Sequence, residues 1–585
     1  MTTSATSGHT RKQVLYPRWF VALHALTNRW KLRDSGLIGA AVLAWISFMP
    51  SLLPRVWYFQ GLITGIALFT GYLLAIIIRS IHLRYVAPQI TLTDRVRRAG
   101  DSVIYWSHKL IPFLVIVYVV IGSISAVRWQ DQSAALVDAS TQPWLLYLGI
   151  PVIALAVFFV LLTIGREVVW LIAWVSRFLQ RTLRIPRPAA RFVGIVAVVI
   201  LALGLGQGVV LRAFFEGANV LFSAQNDNAI EGVSKPAEPE RSGSDASVVD
   251  FEDLGMQGRR FVDGGLRADK LSALLGEDAK EPIRLYSGIE SASDDDGRAA
   301  LVVDELNRTR AWERESVAIV PTTGTGWINP NAAQAIELLG AGDTAIVGTQ
   351  YSYLPSWISF LADQDKARAA GSALVSAVAA WRDSLPADVH KPKLYVYGES
   401  LGTLAGEGAF SGLRDIRSTV DGVLWMGPPN SSTIWNSLVS RRDPGSTEVE
   451  PEYADGLLVR FTDDPAEFRE GVGEWLSPRI LYVQHATDPV VWWNSDLLFE
   501  RPDWLEEEPG AGRHPDMTYL PIGTFWQVTA DLGNAVGGSQ GYGHLYDSEI
   551  VDGWATITER PGWNEQTAER FRQLHDEAMA SQPRG

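Results

Sequence analysis

Residues 398–402 read Gly-Glu-Ser-Leu-Gly. A serine hydroxyl is a weak nucleophile at neutral pH unless a base takes its proton and an acid orients that base. Ser400 therefore does chemistry only if the chain supplies a histidine and a carboxylate and the backbone presents the hydroxyl. The local pattern suits presentation. KLYVYGES (393–400) is a β-rich apolar run and the following LGTLAGEGAF is small and helix-compatible, which puts Ser400 in a sharp strand-turn-helix. Such an elbow strains the serine backbone, and the elbow glycines Gly398 and Gly402 leave room for strand and helix to approach. The competing reading is a structural serine in a tight turn.

In this arrangement the chain order should be serine, then Asp or Glu, then His. The C-terminal half offers His390, His485, His514, His544 and His575. His390 precedes the serine, His485 lies inside the strand-like RILYVQHATDP, and His575 belongs to an amphipathic terminal segment. His544 sits in GGSQGYGHLYDS, where glycines free the backbone to present an imidazole, and is the favoured base; His514, in the loop GAGRHPDMTYL, is the fallback. Asp488, between RILYVQHAT and Pro489, is the favoured acid. Asp463 and Asp464, after LLVRFT (457–462), compete with it, and a solvated turn is the plain reading of both.

Attack on a carbonyl also needs donors for the developing oxyanion. One is expected from the backbone N–H of Leu401, and the second from Thr323 or Gly324 in PTTGTGWINP (321–330). Trp327, Trp492 and Trp493 are candidates for an apolar acyl pocket, and the aromatic segments 486–499 and 523–528 suit either such a pocket or the membrane surface, with burial in the core as the alternative. Serine chemistry of this type needs no cofactor, and no metal site is identified.

These residues need a scaffold. Beyond residue 260, near-continuous apolar runs at 282–289, 315–323, 343–352, 393–400, 421–428 and 479–486 alternate with helical segments such as 329–340 and 364–385. Runs of this kind suit strands buried on both faces, so a mostly parallel α/β sheet covered on both sides is expected.

The first 212 residues differ in kind. They carry 21 Lys+Arg against 6 Asp+Glu, whereas the remainder carries 30 against 59. Five apolar runs, at about 36–54, 57–78, 110–127, 144–165 and 192–211, approach the roughly 20 residues that cross about 30 Å of hydrocarbon. Pro50 and Pro54 interrupt the end of the first. Basic residues alternate in the flanks: six before the first run, one after it, then six, one and six. The positive-inside rule then puts the N-terminus in the cytoplasm and everything after Arg212 outside. The runs hold no Asp, Glu or Lys deep inside them, which argues against an ion or proton pathway. The expected organisation is a basic cytoplasmic N-terminus (1–35), an all-α five-helix transmembrane domain (36–212), a flexible linker (213–250) whose polar part is 223–250, and an extracytoplasmic catalytic domain (251–585). The chain has no cysteine, which excludes disulfides, cysteine-ligated zinc and a thiol nucleophile. The acidic C-terminal part would repel a phosphate backbone, so no nucleic-acid partner is expected.

Taken together, FMPSLLPR (48–55), LGMQGRRFV (254–262), PTTGTGW (321–327), GESLG (398–402), ATDPVVWW (486–493) and GYGHLY (541–546) resemble the actinobacterial membrane-anchored α/β-hydrolase family. The resemblance implies a serine-hydrolase fold with Ser400, Asp488 and His544 at the catalytic positions. The expected activity is that of an esterase or acyltransferase at the membrane, acting through an acyl-enzyme on an envelope lipid or glycolipid ester. The alternatives are a membrane serine peptidase and a non-catalytic receptor or scaffold on the same fold.

Overall fold

A computed structural model describes residues 30–89, 94–203, 226, 230, 232–469 and 473–582. The chain divides into two compact units. The first is helical, with α1 (Asp34–Phe48), α2 (Trp57–Ile81), α3 (Asp94–Leu136) and α4 (Ile150–Thr182). Helix α5 (Arg187–Leu203) follows. Helices α1 and α2 cross in close contact because neither has a side chain at the crossing: a Cβ on Gly71 would lie 2.1 Å from the Gly39 carbonyl oxygen. Small residues serve this purpose where lipid offers no hydrophobic drive for helices to associate.

Among the described residues, three helices and not the expected five are long and apolar enough to cross a membrane: Trp57–Gln89, Phe113–Leu136 and Trp144–Thr182, with mean hydropathies of 2.2, 1.7 and 2.8. The expected run at 36–54 yields only the 15 residues of α1, because the chain leaves helical geometry at Met49 and Pro50. At 1.5 Å per residue this is ~22 Å, short of the hydrocarbon thickness. The run at 192–211 starts inside α5, and its remainder lies outside the described residues.

The second unit contains a sheet of seven strands: β1 (Ile283–Ser287), β2 (Ser316–Pro321), β3 (Thr344–Thr349), β4 (Lys393–Glu399), β5 (Gly422–Met426), β6 (Val459–Thr462) and β7 (Arg479–Val483). All pairings are parallel, in the order β1-β3-β2-β4-β5-β7-β6. Alternate residues enter two separate cores. Val317, Ile319, Leu394, Val396, Val423 and Trp425 face one, and Ala318, Val320, Tyr395, Tyr397, Leu424 and Met426 face the other. This two-sided burial is why the strands read as unbroken apolar runs rather than alternating ones. Helices α6 (Pro330–Leu339) and α7 (Gln364–Ser384) fall where the sequence places them. Asn329 caps α6 by accepting the Asn331 N–H at 2.9 Å, and proline occupies the first helical position, where its missing N–H costs nothing.

The polar stretch expected to be a flexible tether is partly built into this unit. Arg241 is fully buried, donates to the Val262 and Gly264 carbonyls at 2.8 and 2.6 Å, and pairs with Glu281. Ser242 N–H donates to the Arg284 carbonyl at 3.0 Å, which extends the β1 edge. Its polarity reflects a paired buried network rather than solvation. The second unit also includes Pro50–Pro54 and Ser133–Ser140, short connectors on either side of apolar helices.

Candidate active site

Strand β4 runs straight into helix α8 (Leu401–Glu407), and Ser400 at the junction has φ 56° and ψ −124°. A non-glycine residue held there is strained, and the surroundings hold it. Ser400 N–H donates to the Met426 carbonyl at 2.9 Å, and Thr403 Oγ1 donates to the Gly398 carbonyl at 2.8 Å. A Cβ on Gly398 would come within 2.6 Å of the Gly402 carbonyl oxygen, and one on Gly402 within 2.5 Å of the Pro321 carbonyl oxygen. The two elbow glycines therefore permit the strand-helix contact and the approach of α8 to the end of β2.

That second approach brings together the two segments from which the oxyanion donors are expected. Leu401 is the first residue of α8, where an amide has no carbonyl four residues back to bond. The chain after β2 turns tightly, with Gly326 N–H donating to the Thr323 carbonyl at 2.8 Å. Gly324 packs so closely that a Cβ would lie 2.3 Å from the Leu354 carbonyl oxygen.

Asp488 follows β7 and caps a short helix (Pro489–Trp492), its Oδ1 accepting the Val490 N–H at 2.8 Å. Its Oδ2 accepts from His544 Nδ1 at 2.7 Å and from the Tyr546 hydroxyl at 2.6 Å. Asp488 is fully buried, whereas the His544 side chain retains 13 % exposure. Burial disfavours the imidazolium, but the charge and hydrogen bond of Asp488, with Glu399 behind them, outweigh it and raise the His544 pKa above its ordinary value. With Nδ1 committed to the carboxylate, Nε2 is the free base position, and among the described residues it has no hydrogen-bond partner. Catalytic serine-histidine bonds are often long before substrate binds. Ser400 and His544 flank the same strand end: Ser400 bonds Met426, and a Cβ on the adjacent Gly427 would lie 2.7 Å from His544 Cε1.

The competing residues do other work. His514 accepts the Asp516 N–H at Nδ1. Asp464 accepts the Ala466 N–H at 2.8 Å, beyond β6 at the sheet edge. His485 is buried, stacked on Tyr546 with ring centroids 4.1 Å apart, and its Nδ1 bonds the Gly543 carbonyl at 2.8 Å. The pocket expectation divides. Trp492 is fully buried against Trp435 and Trp504, and its indole N–H donates to the His485 carbonyl, so it is core. Trp327 lines a separate cleft with Arg260, Phe261 and Gln582 that includes none of the three expected catalytic residues. Trp493 alone remains beside the elbow, packed on the cluster that contains Leu401.

Three contributors were not anticipated from sequence. Tyr546 orients Asp488. Glu399, beside Ser400, accepts from Asn329 Nδ2 at 2.8 Å and the Tyr397 hydroxyl at 2.7 Å. Burial raises its pKa, which those two bonds only partly offset. Asn329 also donates to Asp547 at 2.9 Å, tying the loop after β2 to the His544 loop.

Residues 283–571 match the alpha/beta-hydrolase family and residues 48–265 match that family's N-terminal region. No curated protein and no solved structure matches the chain. The parallel sheet, the elbow at Ser400 and these two matches agree: the chain belongs to the alpha/beta-hydrolase family, with the family's N-terminal region joined to its hydrolase domain.

Proposed function

We propose that the protein is a membrane-anchored serine hydrolase in which Ser400 is the nucleophile, His544 the base and Asp488 its orienting acid, acting on the carboxylic ester of an envelope lipid or glycolipid. The observation that carries the reading is the 2.7 Å bond from His544 Nδ1 to Asp488, at the strand end where Ser400 is held at positive φ. In the proposed cycle His544 Nε2 takes the Ser400 proton as Oγ attacks the ester carbonyl carbon. The amides of Leu401 and of Thr323 or Gly324 stabilise the oxyanion. Collapse breaks the ester C–O bond, His544 returns the proton to the departing alcohol, and the acyl group stays on Ser400. Water, or a carbohydrate hydroxyl in a transferase, then gives its proton to His544 as it attacks the acyl carbon, and the acyl carbon–Oγ bond breaks as His544 passes that proton to Ser400 Oγ.

Labelling of the detergent-extracted protein with a fluorophosphonate tests the reading. The parent should label, and Ser400→Ala and His544→Ala should not. A folded parent that stays unlabelled would favour a binding scaffold on a hydrolase fold.

A further inference from the structure

Helix α9 (Gly523–Leu532) has two unlike sides. Inward, the Phe525 ring lies tilted against Trp493 with centroids 5.8 Å apart, Thr529 Oγ1 accepts the Trp493 indole N–H at 2.8 Å, and Leu532 packs on the cluster holding Leu401. Outward, Trp526 is 58 % exposed and Ile522, one turn earlier, 45 %. Phe499 joins them at 75 %, because Ile522 N–H donates to the Leu498 carbonyl at 2.9 Å and draws that loop alongside. Ile522 is moreover a β-branched residue at φ 66°, an unfavourable conformation that presents its side chain to solvent. Large apolar side chains grouped on a surface mark an interaction site.

Helix α9 and the loop after it are bonded to the two connectors that the second unit includes, Pro50–Pro54 and Ser133–Ser140. Asp531 Oδ2 accepts the Leu52 N–H at 3.1 Å and the Ser51 hydroxyl, and Asn534 Nδ2 donates to the Pro54 carbonyl at 2.8 Å. Ser539 donates through N–H to the Val137 carbonyl at 3.2 Å and through Oγ to the Asp138 carbonyl at 2.6 Å. Pro50–Pro54 joins α1 to α2, and Ser133–Ser140 comprises the last turn of α3 and the residues after it, so each connector adjoins an end of a helix long and apolar enough to cross a membrane. Their bonds tie α9 and the 533–539 loop to those two connectors.

We infer that Phe499, Ile522 and Trp526 form a lipid-docking surface that enters the interfacial layer of the bilayer, so that a membrane-embedded acyl ester reaches Ser400 along the inner side of α9. The docking surface rests on the membrane anchoring proposed above, and the part concerning Ser400 rests on its proposed role as nucleophile as well. Tryptophan and phenylalanine suit this depth, with an apolar body for the acyl boundary and, in tryptophan, an N–H for the headgroups.

Because the chain has no cysteine, Trp526→Cys carries a unique spin label in the full-length protein reconstituted into vesicles of phosphatidylcholine and phosphatidylglycerol. Asp388→Cys, exposed before β4 at the opposite end of the sheet, is the aqueous control. The label at 526 should be relaxed more by oxygen than by an aqueous nickel chelate, and the label at 388 the reverse. Equal aqueous access at both positions overturns the inference. So does a label at 526 shielded from both agents, which would mean that a protein, a second copy included, covers the patch. The double variant Trp526→Glu with Phe499→Glu should lose at least about tenfold in turnover of a vesicle-embedded long-chain ester while its fluorophosphonate labelling rate stays unchanged. Unchanged vesicle turnover removes the substrate-delivery role, and a parent that docks in lipid but never labels removes the hydrolase reading alone.

Discussion

Gly427 and His544 are in contact so close that the glycine has no room for a methyl group: a Cβ there would lie 2.7 Å from His544 Cε1 and 3.0 Å from Nδ1. Gly427 also has φ 54°, a conformation other residues adopt only under strain. Gly427→Ala should therefore push the imidazole away from the elbow. A displacement of ~1 Å at a reacting group costs on the order of 100-fold. The fluorophosphonate labelling rate should fall by that order with the circular dichroism spectrum retained. A labelling rate within about twofold of the parent would mean that the imidazole position does not limit reaction.

Tyr546 gives its hydroxyl to the carboxylate oxygen that also holds His544. Burial, and then the Asp488 charge, raise the phenol pKa well above its ordinary value, so the hydroxyl remains a donor throughout the working pH range. Tyr546→Phe leaves a buried carboxylate one hydrogen bond short. Loss of a bond to a charged acceptor costs about 1.5–3 kcal/mol, readable as a lower midpoint in denaturant unfolding. Labelling should fall less than in Gly427→Ala, because the His544 bond survives.

The raised pKa of His544 fixes the sign of a pH dependence. The imidazole acts as base only when neutral, so labelling should decline as pH falls through a midpoint above the ordinary 6.5. Glu399 contributes to that elevation through its charge. Glu399→Gln should move the midpoint down and extend reactivity to lower pH. An unmoved midpoint would show that Glu399 is already neutral in that range.

Much of this arrangement was legible in the chain because its physical causes are local. The elbow needs glycines within two residues of Ser400, and buried parallel strands need unbroken apolar runs; both are visible in a few letters. Chain order and loop composition single out Asp488 and His544, and the structure places those two side chains in a hydrogen bond. What escaped was set by distant partners. Arg241 looks solvated until Glu281 and the carbonyls around it are placed. Trp492 and Trp493 are adjacent and chemically identical, and only the packing of Trp435 and Trp504 makes the first of them core. Ser51 reaches Asp531 across 480 positions, and no periodicity records that contact.

Behind the site, Glu549 lies 3.8 Å from the buried His485, and burial disfavours the charged form of each. Burial pushes Glu549 up to about 8 and His485 down to about 4. The folded state therefore keeps a proton on Glu549 that the unfolded chain releases from about 4.5 upward, and its contribution to stability is lost as pH rises through about 8. His485 works in the opposite direction, but only between about 4 and 6.5. Glu407, pushed up to about 7 by burial, follows Glu549 in sign. Thermal stability should thus decline between about pH 6.5 and pH 8. Glu549→Gln, which keeps a neutral polar group of the same shape, should flatten that decline while leaving the melting temperature near pH 5 within a few degrees of the parent. A decline equally steep in the variant would mean that Glu549 is already ionised in the folded protein and that His485 balances its charge.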